Sequence, residues 1–178
     1  NEIWAADNNR GLYRILYNDA YETIDIKNVT QHSKISNAFG VKIFEFRNEI
    51  LFLINKSWYT YNSITNQLEA NELFNTNFKN VSNIVSIDEN HFLILQEGLL
   101  YNIYAHDNKF IRNIIQEKYY KGKIINDNVK VFKNKDNYLL NLDDGFISLQ
   151  VKYANKKASN ISVEAFVNND LVQNNSKI

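Results

Sequence analysis

The chain has 178 residues, enough for one sizeable core, and 44% of them are hydrophobic. Its 20 Lys and Arg balance 20 Asp and Glu, so no net field draws it to nucleic acid or to an anionic membrane. Cys is absent, which excludes a disulfide framework and a thiolate metal site, and no apolar run is long enough for a transmembrane helix.

The sequence opens inside a strand pattern, with no initiating Met and no secretory apolar region, as a piece excised from a longer polypeptide would. Ile3-Trp4-Ala5-Ala6 is an apolar run, Asp7 to Arg10 a polar tip, Leu12-Tyr13-Arg14-Ile15 a second run, and Tyr21 to Ile26 a third. The next unit reads Val41 to Phe46, Ile50 to Ile54, the tip Asn55-Lys56, Trp58-Tyr59-Thr60-Tyr61, and Gln67 to Leu73. A third follows with Asn83 to Ile87, His91 to Leu95, Gln96-Glu97, Leu100-Tyr101-Asn102-Ile103, and Phe110 to Ile115. The fourth has Val129 to Phe132, Tyr138 to Leu142, Asp143-Asp144, and Phe146-Ile147-Ser148-Leu149. Short apolar runs joined by Asn, Asp and Gly predict hairpins, because those residues tolerate the positive φ of tight turns.

The segments headed by Leu12, Trp58, Leu100 and Phe146 recur at intervals of 46, 42 and 46 residues. Gly11, Gly98 and Gly145, three of only five Gly, lie just ahead of three of them, and Ser57 ahead of the other. A period of about 40–50 residues belongs to four-stranded propeller blades. The predicted fold is all-β, a β-propeller fragment of about three to four four-stranded antiparallel blades. It fills residues 1–155, with blades near 1–30 (lacking the opening strand), 41–75, 81–117 and 128–155. Leu12, Trp58, Leu100 and Phe146 are then expected at equivalent, buried positions. Helix competes at Asn108 to Tyr120, where Phe110, Ile111, Ile114 and Ile115 share one helical face, but the repeat places a strand there. Glu69 to Phe74 has room for one helical turn. Asn supplies about one residue in six and Pro none, so Asn takes over turn duties. Asn28-Val29-Thr30, Asn80-Val81-Ser82 and Asn160-Ile161-Ser162 match the glycosylation pattern by chance in so Asn-rich a chain.

Chemistry-bearing motifs are sparse. His32, His91 and His106 fall at unrelated repeat positions without HxH or HExxH spacing, so solvated or structural roles are expected. Asp143-Asp144-Gly145 reads first as a hairpin turn, and only secondarily as a carboxylate pair for glycosidic cleavage. No GxSxG, GxGxxG or P-loop occurs. No catalytic residue, metal ligand or cofactor is expected, and the ligand-binding residues stay unknown. The aromatics Tyr13, Tyr17, Trp58, Tyr59, Tyr61, Tyr101 and Tyr104 cluster on the third strands of the units. They read first as wedge fillers between blades and second as a surface that stacks sugars.

Glu2-Ile3-Trp4-Ala5-Ala6-Asp7 followed by Arg10-Gly11-Leu12-Tyr13-Arg14-Ile15 resembles the two-component-regulator propeller repeat, a strand with Trp, a polar turn, then GLYR and an apolar residue. Trp58 to Asn62 and Tyr138 to Leu149 look like later members of the array. Asn160 to Ala165 resembles the first strand of the triple-tyrosine domain that follows such propellers, so residues 156–178 are expected to be linker and that strand. Only the first unit keeps both Trp and GLYR. The resemblance implies a periplasmic sensor region of an inner-membrane regulator, responding to polysaccharide fragments and passing the signal to a kinase or helix-turn-helix output. It implies as partners an oligosaccharide or other small ligand, the rest of the propeller with its triple-tyrosine domain, and a second copy in a homodimer, with no nucleic acid bound by this region. Family binding residues vary, so none transfers. Two other classes stay open: a protein-interaction scaffold and a polysaccharide-active enzyme.

Overall fold

The computed structural model describes residues 1–7, 9–107, 109–123, 130–134, 137–152, 160–167 and 170–172. They form an all-β structure of antiparallel sheets. β1 (Glu2–Asp7), β2 (Gly11–Tyr17) and β3 (Thr23–Asn28) make a three-stranded sheet in that order. After the short helix α1 (Val29–His32) comes a four-stranded sheet of β4 (Lys42–Phe46), β5 (Glu49–Ile54), β6 (Ser57–Asn62) and β7 (Gln67–Ala70), closed by α2 (Glu72–Asn77). A third sheet holds β8 (Val81–Ser86), β9 (His91–Gln96), β10 (Leu99–His106) and β11 (Lys109–Ile114), followed by a 3-10 turn at Glu117–Tyr119. The last sheet has five strands, β12 (Val131–Asn134), β13 (Asn137–Asn141), β14 (Phe146–Lys152), β15 (Asn160–Val167) and β16 (Asp170–Val172). In each, sequence neighbours are sheet neighbours. No described helix is long and apolar enough to cross a membrane.

Phe110 to Ile114 is strand, as the repeat requires, and the helical turn near Glu69 begins at Glu72. Asn71 starts it, its side chain accepting from the Phe74 amide at 2.9 Å. Asn28 does the same for α1, accepting from Gln31 N at 2.9 Å while its Nδ2 donates to the Arg10 carbonyl. The sequon at Asn28 is therefore a helix cap. Asn160–Val167, read from the sequence as the first strand of a following domain, pairs antiparallel with β14 from Lys152↔Asn160 to Phe146↔Phe166. It supplies the fourth strand of the last sheet and satisfies backbone groups that β14 would otherwise leave at an edge.

Three hairpins close with two residues at positive φ: Arg47-Asn48 (49° and 64°), Asn55-Lys56 (53° and 65°) and Glu97-Gly98 (52° and 79°). Both-positive pairs make type I′ turns, whose twist matches the strands they join. Lys56 holds this left-handed backbone without Gly or Asn chemistry, at a cost of about 1 kcal/mol. We expect Lys56→Gly to stabilise the fold by at most about 0.5 kcal/mol once the Gly entropy cost is deducted. Urea denaturation checks the sign, and a destabilised variant would mean that the Lys side chain matters more than the turn.

The chain divides into two compact units, 1–84 and 85–178. In the first, sheets one and two pack face to face through Leu12, Val29, Val41, Phe52, Ile54 and Leu68, with Trp4, Tyr59 and Tyr61 against them. Trp4 sits 4.7 Å from Phe52 and 5.0 Å, edge-on, from Tyr61. The other face of sheet two packs Trp58 against Phe44 and Phe74, with Phe78 beyond. In the second unit Leu93, Leu95 and Leu100 of sheet three meet Tyr138, Leu140, Ile147 and Leu149 of sheet four.

Leu12, Trp58 and Leu100 are buried, as their shared repeat position predicts, but Phe146 is 52% exposed. Phe146 pairs with Asn141, on the face opposite Leu140↔Ile147, which fill the core. It shares that opposite face with Phe132, 50% exposed and paired with Leu139. The first sheet also has an open apolar face. Ile3, Ile15 and Ile26 lie in one cross-strand row, beside Tyr13, with Ile3 52% and Ile26 60% exposed.

Candidate functional site

The structure does not gather the three His. His32 ends α1 and is exposed. His106 is exposed beside Asp107, Nδ1 to Oδ2 at 3.0 Å. His91 is buried at the start of β9, its Nδ1 3.0 Å from Asp88 Oδ2 and its ring 4.5 Å from that of Tyr104. Asp88 Oδ1 also accepts from the Asn90 and His91 amides, each at 2.9 Å. One carboxylate thus fixes both the β8–β9 turn and the imidazole, a structural role. Burial, and then the Asp88 carboxylate, push the Tyr138 phenol up from its ordinary range. Among the described residues, no group of three His, Cys, Asp or Glu could hold a metal.

Asp143-Asp144-Gly145 forms the β13–β14 turn. Lys123 Nζ donates to Asp144 Oδ2 at 2.8 Å, and that hydrogen bond holds the Asp144 carboxyl below its usual range. Asp143 N donates to the Lys123 carbonyl at 2.9 Å. Both acids are therefore turn residues tied to one Lys.

The aromatics divide by environment. Trp58 is fully buried, and its Nε1–H donates to the Phe78 carbonyl at 2.9 Å. Tyr59 and Tyr61 line the core between sheets one and two. The Tyr61 hydroxyl donates to Asn66 Oδ1 at 2.9 Å, and the Arg14 guanidinium lies 5.1 Å from its ring. Arg112 covers the Tyr101 ring at 3.7 Å, a cation–π contact. Tyr13 and Tyr17 are half-buried on the open side of the first sheet.

Tyr17 stacks on Tyr21, with ring centroids 6.0 Å apart and planes 15° apart. The sequence reading placed Tyr21 at the start of a strand and did not single it out as a site. It stands in the β2–β3 loop, 85% exposed and at φ 61°, a backbone that bulky residues rarely adopt. Asn18 holds it there. Its Oδ1 accepts from Ala20 N (3.0 Å) and Glu22 N (2.9 Å), its Nδ2 donates to Glu22 Oε2 (2.9 Å), and its backbone N–H donates to the Glu22 carbonyl (3.0 Å). The pinned loop thus presents the Tyr17–Tyr21 stack with Tyr21 toward solvent; Asp19, near it in sequence, accepts from Asn1 Nδ2 at 3.2 Å. Asn18-Asp19 is the sequence signal for that turn.

In the second unit, Leu95, Glu97, Gly98, Leu99, Glu117, Tyr120, Lys121 and Gly122 line an open cleft of about 480 Å³. That size suits a small ligand. Its one aromatic is not available for stacking, because Tyr120 is buried and its hydroxyl accepts from Leu100 N at 2.9 Å. Burial raises the Tyr120 pKa, so this acceptor stays protonated. Lys121 and Glu117 pair across the rim at 3.4 Å.

No family model matches the chain, and no curated protein does either. Among solved structures it is similar to the hemopexin fold protein CP4 from cow pea, with 9% identity, 91% of this chain and 87% of that one covered, and a TM-score of 0.41.

Proposed function

We propose that the chain is part of a β-propeller that serves as the periplasmic ligand-sensing region of a membrane-spanning regulator or hybrid two-component sensor, with a carbohydrate as its ligand. Recurrence of antiparallel sheets at blade-like intervals supports the propeller reading. The observation that carries the ligand class is the stacked, solvent-facing Tyr17–Tyr21 pair on a pinned loop. The apolar C–H face of a sugar ring fits the negative face of an aromatic ring, and the polar residues of the same loop, Asn18, Asp19 and Glu22, offer groups for sugar hydroxyls. The module needs no cofactor and does no chemistry of its own. Bound sugar transmits a signal by favouring one arrangement of propeller, following domain or homodimer over another.

The experiment is calorimetry of the chain against a panel of oligosaccharides, with Tyr21→Ala as comparison. Loss of one stacked ring is expected to weaken binding about five- to tenfold, equivalent to ~1 kcal/mol. Thermal stability should hold, since Tyr21 is exposed. Equal affinity in the variant would remove the platform from the account. A protein-interaction scaffold is the second reading, favoured by the open apolar faces of the first and fourth sheets.

A further inference from the structure

We propose that the outer edge of β11 in the third sheet takes up an extended segment of a partner protein, apolar and acidic in composition, as a fifth strand. This goes beyond the sugar-binding reading and does not depend on it. β11 is the last strand of its sheet, paired with β10 on one side and with no described strand on the other. The Ile115 amide donates to the Leu100 carbonyl at 2.9 Å, which makes Ile114↔Tyr101 a pair without mutual hydrogen bonds. By the alternation of an antiparallel ladder, Ile111 and Asn113 then turn their backbone groups toward β10, and Arg112 and Ile114 turn theirs outward. Such an outward row is a template for one more strand. The fourth sheet shows that position in use, because β16 pairs outside β15, the fourth strand there.

The first two sheets protect the same position. β7 has only four residues and gives way to α2. The pairing of β3 is broken by a register shift at Leu16/Tyr17, and a bulge of this kind bends an edge away from partners. β11 runs six residues in unbroken register, and it exposes Ile111 (49%) and Ile114 (55%). Its charges select the partner. Lys109 and Arg112 are exposed, and no Asp or Glu stands from 108 to 116. Beyond those limits, Asp107 lies 3.0 Å from His106 and Glu117 3.4 Å from Lys121. Alternation puts Lys109 with Ile111 on one face of the strand and Arg112 with Ile114 on the other. Each face thus offers a cation beside an apolar side chain. A second copy of β11 would bring like charges to the shared edge, whereas an acidic strand meets them with opposite charge.

Fluorescence anisotropy of the chain with a labelled peptide repeating Val-Thr-Glu tests this, with the same peptide carrying Lys for Glu as control. The acidic peptide is expected to bind at least about tenfold tighter than the basic one, the gap narrowing as salt rises. Ile114→Pro removes an outward donor and leaves the β10 ladder whole, so it should weaken binding at least about tenfold while circular dichroism holds. Lys109→Glu, at an exposed position, should cut the preference for the acidic peptide severalfold. Hydrogen exchange read by NMR should slow at the Arg112 and Ile114 amides when that peptide is added. Failure of the acidic peptide to bind, equal affinity for both peptides, an unchanged preference in Lys109→Glu, or unchanged affinity in a folded Ile114→Pro variant would each overturn the proposal. Self-association of the chain that Ile114→Pro abolishes would overturn it too, giving the edge to a second copy. None of these results bears on sugar binding, which calorimetry reads separately.

Discussion

Replacing Trp58 with Ala is expected to lower the unfolding free energy by about 3–5 kcal/mol, the range for a large aromatic in a packed core. Trp58 is completely buried, 5.2 Å from Phe74 and 6.4 Å from Phe44 by ring centroids. Its removal also takes away the indole hydrogen bond to the Phe78 carbonyl, a further loss of about 1 kcal/mol. Around the same strand, Asn75 clamps the backbone, accepting from Trp58 N and donating to Trp58 O, both at 2.8 Å. That clamp survives the substitution, so the loss should come from the cavity and the carbonyl. Trp58→Phe, which keeps most of the volume, should cost markedly less. Urea denaturation measures both, and a loss below about 1 kcal/mol for the Ala variant would mean that the site collapses freely.

Gly11→Ala should cost about 2–4 kcal/mol through two effects that act together. Gly11 opens β2 at φ +102°, a conformation closed to L side chains, and a Cβ there would collide with the Thr30 hydroxyl. Thr30 cannot simply move away. Its Oγ1 donates to Asn28 Oδ1 at 2.7 Å and accepts from Leu12 N at 3.4 Å, tying α1 to the strand. Thr30→Ala alone should cost about 1 kcal/mol in lost hydrogen bonding. The double variant Gly11→Ala with Thr30→Ala should lose less than the sum, because the collision is gone while the backbone strain remains. Strict additivity in that cycle would place the whole Gly11 cost in the backbone.

The strands were legible because alternation and turn chemistry repeat in every unit. His91-Phe92-Leu93-Ile94-Leu95 and Ile50 to Ile54 read as buried strands, and they lie second in their sheets. The Gly coincidence misled in one respect. Gly11 is the first residue of β2, Gly98 the second residue of a two-residue turn, and Gly145 the last of a longer loop. They share a neighbourhood but not a backbone role: a Cβ at Gly11 would meet Thr30, whereas one at Gly98 would meet nothing. Phe146 shows the limit of reasoning from the repeat. Alternation gives the face a side chain belongs to, whereas exposure depends on whether another sheet lies over that face. Tyr21 was hidden for a different reason: it borders a strand-like run, and its exposure comes from an Asn18-centred turn whose hydrogen bonds no periodicity reports. Asp88 and His91 look unrelated by motif, yet the turn folds the imidazole onto the carboxylate.

Native mass spectrometry of the chain titrated with oligosaccharides tests the ligand-sensing account most directly, since it reads the adduct and the state of the sugar together. The account predicts a saturable adduct of intact sugar that is weakened in Tyr21→Ala. Shortened sugar in solution, or no adduct with any member of a broad panel, would contradict it.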